Sequence, residues 1–325
     1  MPCFESSQRA EIVLAELIAR GHEICQPDQD SSDTLAKIHS SRYLNFLQTA
    51  WQQWLDADAG NAEVQPYPSV WPVRSLRDDI EPDDFVAKLG LYSMDNGTPM
   101  TAGTWPVAKA CADAAVSAAQ RVSNGQRSVF CATRPPGHHA GFDFMGGYCF
   151  LNNAAVAAQS LIDNGSERVA ILDVDYHHGN GTQSIFYERS DVLVVNIHGD
   201  PKTEFPFYLG HADEHGAGDG SGFNLNLPLP SGATVSQWFA ALEVALERVS
   251  SFKPDSLVVS LGLDTFINDP ISKFTLQSTD FLEIGNRIEK LKQPTVWVLE
   301  GGYAVNELGE NTANVLSGFE QSCQQ

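Results

Sequence analysis

Strand-like and helix-like segments alternate along residues 105–319, which predicts an α/β fold: a three-layer open arrangement with a mainly parallel central sheet flanked by helices. Three observations carry the prediction. The strand segments at 127–132, 168–174, 192–197, 256–261 and 295–299 are short, β-branched and almost continuously apolar, as strands buried on both faces are. The segments between them are long enough for helices and carry apolar residues at three- and four-residue spacing. The chain of 325 residues is 42% hydrophobic, ample for a large core.

Ahead of that region, Ile12, Leu14, Leu17 and Ile18 are spaced for a helix over 7–20, with Ser6 or Ser7 as N-cap and Gly21 as stop. Asp33 caps a second helical stretch through Leu35, Ile38, Tyr43, Leu44, Phe46 and Leu47 toward Trp51 and Trp54. Periodicity fails over 58–104, where Gly, Pro and Asn mix with the acid-rich run 77–84. An irregular excursion this long is expected to be functional or interfacial, or else a solvated insertion. Helices are then expected at 107–122 and 152–163, with a short one near 182–187. An extended piece at 223–227 follows a Gly-rich loop, and helices at 235–249, 279–291 and 306–319 complete the alternation.

The formal charge of −21 argues against nucleic-acid binding, which needs a basic face. It favours the approach of cationic small molecules or basic peptides, or serves solubility alone. Cys3, Cys25, Cys111, Cys131, Cys149 and Cys323 show no C-x-x-C spacing, so neither a disulfide framework nor a cysteine zinc site is expected, and a cytoplasmic location fits. No signal-like amino terminus and no bilayer-spanning apolar run is visible, so no membrane partner is expected.

Each chemically informative motif falls where a strand gives way to a loop, the edge at which open α/β sheets bind ligands. At 171–181 the run I-L-D-V-D-Y-H-H-G-N-G places Asp173, Asp175 and His177 at alternate positions, hence on one side of an extended chain. Asp175 and His177 read as metal ligands and Asp173 as a group that orients a neighbour, whereas His178 reads as packed. After the strand ending near 132, the stiff run Arg134-Pro135-Pro136-Gly137 precedes His138 and His139, a setting that suits paired imidazoles in acid–base work. The strand 256–261 runs into Asp264, which is either a third ligand or a cap, because a carboxylate at a buried strand end needs a partner. The strand 295–299 leads to Gly301, Gly302 and Tyr303. Two glycines allow a sharp turn, so Tyr303 either faces inward to serve a developing oxyanion or packs with its hydroxyl bonded locally.

The runs R-P-P-G-H-H-A-G (134–141), G-G-Y-C-F-L-N-N-A-A-V-A-A (146–158), D-V-D-Y-H-H-G-N-G-T-Q (173–183), L-G-L-D-T-F (261–266) and L-E-G-G-Y (299–303) together resemble the histone deacetylase and acetylpolyamine amidohydrolase family, which shares its fold with the arginases. The likeness extends over nearly the whole chain. Residues 4–17 and 43–47, Thr104-Trp105 and H-G-D-P (198–201) look like the bacterial acetylpolyamine amidohydrolases.

The resemblance implies one catalytic domain over 1–325 with an irregular insertion at about 58–104. It implies one Zn2+ per chain on Asp175, His177 and Asp264, with Fe2+ or Co2+ as substitutes and a structural K+ as a further candidate. His138 and His139 would be the catalytic pair, Tyr303 the oxyanion donor, Asp173 and Asn180 the partners behind the histidines, and Gly147, Tyr148 and Phe205 the tunnel lining. The implied activity removes acetyl groups from acetylated amines, with acetylpolyamines favoured, an acetyl-lysine protein substrate as the alternative, and a non-catalytic ligand-binding or regulatory role as the alternative of another class. A homodimer, with the excursion of one chain walling the other's site, is also implied. Two departures stand out. Asn180 occupies a position where the deacetylase branch often has aspartate, and the family's first strand, ahead of the segment matching 4–17, is not expected within this sequence. The acidic positions that would hold a distant ammonium fall nearest to Gly97 and Val86, with Asp83, Asp84 and Asp95 close by.

Overall fold

The computed structural model describes residues 3–322; Cys323 lies outside the described residues, and the other cysteines are free thiols. Among the described residues no strand precedes the first helix, α1 (Gln8–Ala19). The stretch expected as one second helix is two, α2 (Ser32–Ile38) and α3 (Ser41–Ala57). His39 between them is extended, and Ser40 caps α3 by accepting from the Tyr43 amide at 3.2 Å. The break arises from the His39 ring, whose Nδ1 reaches the Gly141 carbonyl at 2.8 Å while Nε2 accepts from the Asn152 amide at 3.1 Å. Both partners are buried, so the helix yields to them.

The excursion holds a 3-10 turn (Ala59–Glu63) and a short helix, α4 (Phe85–Leu91). It is fastened to α3 and the loops beyond: Arg42 donates to the Asp78 carbonyl at 3.1 Å, Lys88 to Gln53 at 3.2 Å, and the Met94 amide to the Met145 carbonyl at 2.9 Å. Gly90 lies so close to the Val70 carbonyl that any Cβ there would collide with it.

Beyond it run α5 (Thr104–Ser123), β1 (Ser128–Cys131), α6 (Asn153–Asp163), β2 (Val169–Asp173), α7 (Asn180–Phe186), β3 (Val192–Gly199) and β4 (Asn224–Leu229). The rest comprises α8 (Val235–Phe252), β5 (Ser256–Leu261), α9 (Ser278–Glu289), β6 (Thr295–Leu299) and α10 (Val305–Ser322). The six strands form one sheet in the order β1-β6-β5-β2-β3-β4, and every pairing is parallel. Strand periodicity divides the core into two layers: Val169 and Ile171 of β2 face the side covered by α5 and α6, and Ala170 and Leu172 face α8. Helix α6 is almost wholly buried, and its alanines (Ala154, Ala155, Ala157, Ala158) let it lie close to the sheet and to the turn carrying the paired histidines. The carboxyl ends of β1, β6, β5 and β2 adjoin, so the four loops of interest emerge side by side.

Candidate active site

Asp173 ends β2, and its carboxylate anchors two neighbouring segments: Oδ1 accepts from the Asp175 amide at 3.0 Å and Oδ2 bonds His138 Nδ1 at 2.9 Å. Two and four residues on, Asp175 and His177 meet Asp264 from the loop after β5; one ligand atom from each lies within 4.8 Å of the others. Asp264 caps no helix, since α9 begins at Ser278 behind Gln277. Its carboxylate instead accepts from the Tyr176 amide at 2.8 Å and lies 2.9 Å from His177 Nδ1. The Gly301 amide donates to Asp175 Oδ2 at 2.7 Å, and a Cβ on Gly301 would stand 2.6 Å from that oxygen and 2.7 Å from Asp264 Oδ2. Only glycine allows this approach.

Two buried carboxylates this close repel, and no lysine or arginine pairs with either among the described residues. Their field pushes His177 up to about 10 even though burial opposes it. Burial and the neighbouring Asp175 raise Asp264. Such a site demands a cation. Two carboxylate oxygens and one imidazole nitrogen suit a zinc-like divalent ion with room left for water and substrate. The residues therefore fit a metal.

His138 and His139 follow β1, with ring centroids 4.1 Å apart. Sequence reasoning missed what positions their backbone: the buried Glu300 carboxylate accepts from the amides of Gly137 at 2.6 Å and His138 at 3.1 Å. The two rings sit in opposite electrostatic surroundings. Burial disfavours charge on His138, but Asp173 and Asp175 outweigh it and bring the ring up to about 10. Burial also raises Asp173, which bonds His138 Nδ1. Burial, then the charges of His138 and His177, push His139 well below its ordinary value. Asn180, at the start of α7, presents Oδ1 to His139 Nδ1 at 2.7 Å while its amide nitrogen donates to Met94 Sδ at 3.3 Å. That network assigns the proton of neutral His139 to Nδ1 and leaves Nε2 bare.

His139, His177 and Tyr303 all line one cavity of about 650 Å³, together with Gly147, Tyr148 and Phe205. Gly147 has φ +54°, and a Cβ there would come within 2.2 Å of the His139 ring. Phe205 packs edge-on to His139 at 5.0 Å, and Tyr148 edge-on to Tyr303 at 5.9 Å. Tyr303 is held from behind by groups that sequence reasoning also missed. Fully buried Arg9 donates to the Gly302 carbonyl at 2.7 Å and to the Glu300 carbonyl, with its guanidinium 4.9 Å from the Tyr303 ring centroid. Asp269 accepts from the Tyr303 amide at 2.7 Å. A signal for Arg9 existed: it shares the buried face of α1 with Val13 and Leu17, four and eight residues on. Of the excursion acids, Asp95 reaches the cavity and accepts from the Gly147 amide at 2.6 Å, whereas Asp84 caps α4. Neither Asp83 nor Val86 lines the cavity, and Gly97 does.

The profile of the histone deacetylase domain matches residues 3–319. The chain is 51% identical to acetylpolyamine amidohydrolase 2 of Pseudomonas aeruginosa over 98% of its own length and 92% of that protein's. It is 44% identical to the acetylpolyamine amidohydrolase of Mycoplana ramosa over the same shares of the two chains. The crystal structure of an acetylpolyamine aminohydrolase from Burkholderia pseudomallei superposes with a TM-score of 0.93 at 37% identity, covering 99% of this chain and 92% of that one.

Proposed function

The chain belongs to the histone deacetylase family, and from that premise we propose that it is a zinc-dependent amidohydrolase of small cationic acetylated amines, releasing acetate and the free amine. The observation that carries the reading is the divergence of the paired imidazoles beside the ligand trio. His138 Nδ1 meets the Asp173 carboxylate, whose charge favours a protonated ring against the cost of burial, whereas His139 Nδ1 meets the neutral Asn180 amide oxygen in a buried setting that disfavours charge. Surroundings that drive two pKa values apart mark a division of acid–base labour.

Asp175, His177 and Asp264 would hold one ion per chain, zinc first, with Fe2+ or Co2+ as substitutes. When bound, such an ion polarises the amide carbonyl and acidifies water. His139 takes the proton of the attacking water at Nε2 and delivers it to the departing amine nitrogen. Asn180 keeps the ring in the tautomer this requires. His138 adds positive charge where negative charge develops on the substrate. Burial raises the Tyr303 phenol well above its ordinary value, so it stays protonated and donates a hydrogen bond to the former carbonyl oxygen. Gly147, Tyr148 and Phe205 enclose the aliphatic part of the substrate.

A cationic substrate is supported by Asp95 and Glu204 on the cavity wall and by the formal charge of −21. The relatives' names favour acetylpolyamines over acetyl-lysine. We treat 1–325 as one catalytic domain. Its free thiols accord with a reducing cytoplasm, and no helix among the described residues is long and apolar enough to cross a membrane. A homodimer through the excursion is supported by Val73, Leu76 and Ile80, which stand 60%, 83% and 59% exposed. Sedimentation as a monomer at every concentration would remove that part.

Acetylated amines of graded length, offered to zinc-loaded protein, test the central claim. Turnover is expected for acetylated diamines and is lost in Asp264→Ala. Wild-type protein that leaves all of them and an acetyl-lysine peptide intact would overturn the reading.

A further inference from the structure

Residues 203–209 carry the aromatic wall of the tunnel, Phe205 and Phe207 among them. The backbone bonds within this segment are local: Glu204 to Asp200, Phe207 to Glu204, Tyr208 to Pro206. Its carboxyl end is tied to the body of the protein chiefly through the Glu214 carboxylate, with Asn226 adding one bond to the His211 carbonyl at 3.2 Å. One oxygen of that carboxylate accepts from the Gly210 amide at 2.9 Å and the Gln183 amide nitrogen at 2.5 Å, and also from Asn226 at 3.3 Å; the other accepts from the His211 amide at 3.1 Å. Gln183 is buried and lies on α7, one helical turn beyond Asn180, the residue that orients His139. Its carbonyl oxygen accepts in turn from Asn224, Asn226 and His178 Nε2, the last at 3.0 Å. Gly210, at φ +108°, rests directly on the rings of His178 and His198, where a Cβ would come within 2.7 and 2.9 Å. His178, the histidine of the metal motif that has no place in the reaction, thus forms the shelf on which the wall segment ends.

We propose that Glu214 is the positioning residue that registers the aromatic wall against α7, and so sets how well the tunnel holds the chain of an acetylated amine. The proposal rests on the function proposed above. Phe205 packs on the His139 ring from the wall side while Asn180 holds the same ring from α7. Glu214 joins those two sides. Loss of the tie frees the wall and leaves the imidazole and its partner in place. Binding of long chains therefore weakens more than the chemical step does.

The test compares an acetylated long-chain diamine with acetylated methylamine, which is too short to use the wall. In Glu214→Ala the KM for the diamine is expected to rise about tenfold while kcat for the short amide stays within about twofold. Glu214→Gln, which keeps one acceptor oxygen, falls between. Gln183→Glu sets two carboxylates face to face and is expected to reproduce the defect, and adding Glu214→Gln to it restores a donor and recovers at least about a third of the lost affinity. Hydrogen exchange reads the tie without turnover: the Gly210 and His211 amides are protected in the wild type and exchange freely in Glu214→Ala, with α7 unchanged. Equal losses in kcat for both substrates, additive Gln183 and Glu214 effects, or unprotected amides in the wild type would overturn the proposal. If the wild type turns over no acetylated amine but those amides are protected, the functional reading fails and the tie stands.

Discussion

Arg9 is the most exposing place to test how the site is built, because it is far from the chemistry in sequence and does not itself line the cavity. Its buried guanidinium donates to the carbonyls of Glu300 and Gly302, on either side of the glycine that abuts Asp175 and just before Tyr303. Arg9→Met keeps the length and removes both donors, leaving two buried carbonyls without partners. A hydrogen bond from a charged donor contributes roughly 1.5–3 kcal/mol, so the loss of the two should cost about 3–6 kcal/mol in stability. The functional loss comes through Tyr303: with its turn unfastened the phenol is no longer held, and removing an oxyanion donor costs on the order of 10²–10³ in kcat. Stability is read by denaturant unfolding, and kcat and KM are read separately on an acetylated diamine. Arg9→Met should lose kcat with little change in KM. In a Tyr303→Phe background it should cost little more, because both changes remove the same interaction. Full additivity of the two, or a destabilised Arg9→Met protein with wild-type kcat, would refute this account.

Three further outcomes are expected from the geometry. Zinc should raise the unfolding temperature of the wild type in a concentration-dependent way, and the shift should vanish in Asp264→Ala; an equal shift in both would place the ion elsewhere. Asn180→Asp sets a carboxylate against His139 Nδ1 and raises the basicity of that ring, so the acid limb of kcat/KM should move toward neutral pH by about one to three units; an unmoved limb would dissociate His139 from the base. His39 uses both ring nitrogens in its neutral form, and burial holds it at about 4. The unfolded chain therefore binds this proton first as pH falls. The contribution is intact above about 6.5 and is lost progressively toward about 4, which amounts to roughly 3 kcal/mol at about 1.4 kcal/mol per unit. His39→Gln should flatten the stability profile in that window when urea midpoints are compared.

The sheet was legible because a buried parallel strand must be apolar on both faces, and that demand is written locally in runs such as 169–173 and 256–261. The loop ends were legible for a related reason: charged side chains directly after such runs are costly unless they serve something, which singled out Asp175, His177 and Asp264. Wherever a residue's environment is made by distant chain, the local pattern misled. The helix expected to run on from Asp33 breaks at His39 because Gly141 and Asn152, more than a hundred residues away, claim its ring. Asp84 looked like an acid for a distant ammonium and is a helix cap, while Asp95, in an ordinary turn, reaches the cavity. Arg9, Glu300 and Asp269 share one character: each spends its side chain on backbone groups of the loops that form the candidate site. Such residues leave little local trace, since the bonds they satisfy belong to other segments. Arg9 alone left one, a charge set into the apolar face of α1 with Val13 and Leu17. A buried charge in an apolar stripe must find partners, and here they are the Glu5 carboxylate at 3.5 Å and, across the fold, the two carbonyls that bring the chain into Tyr303.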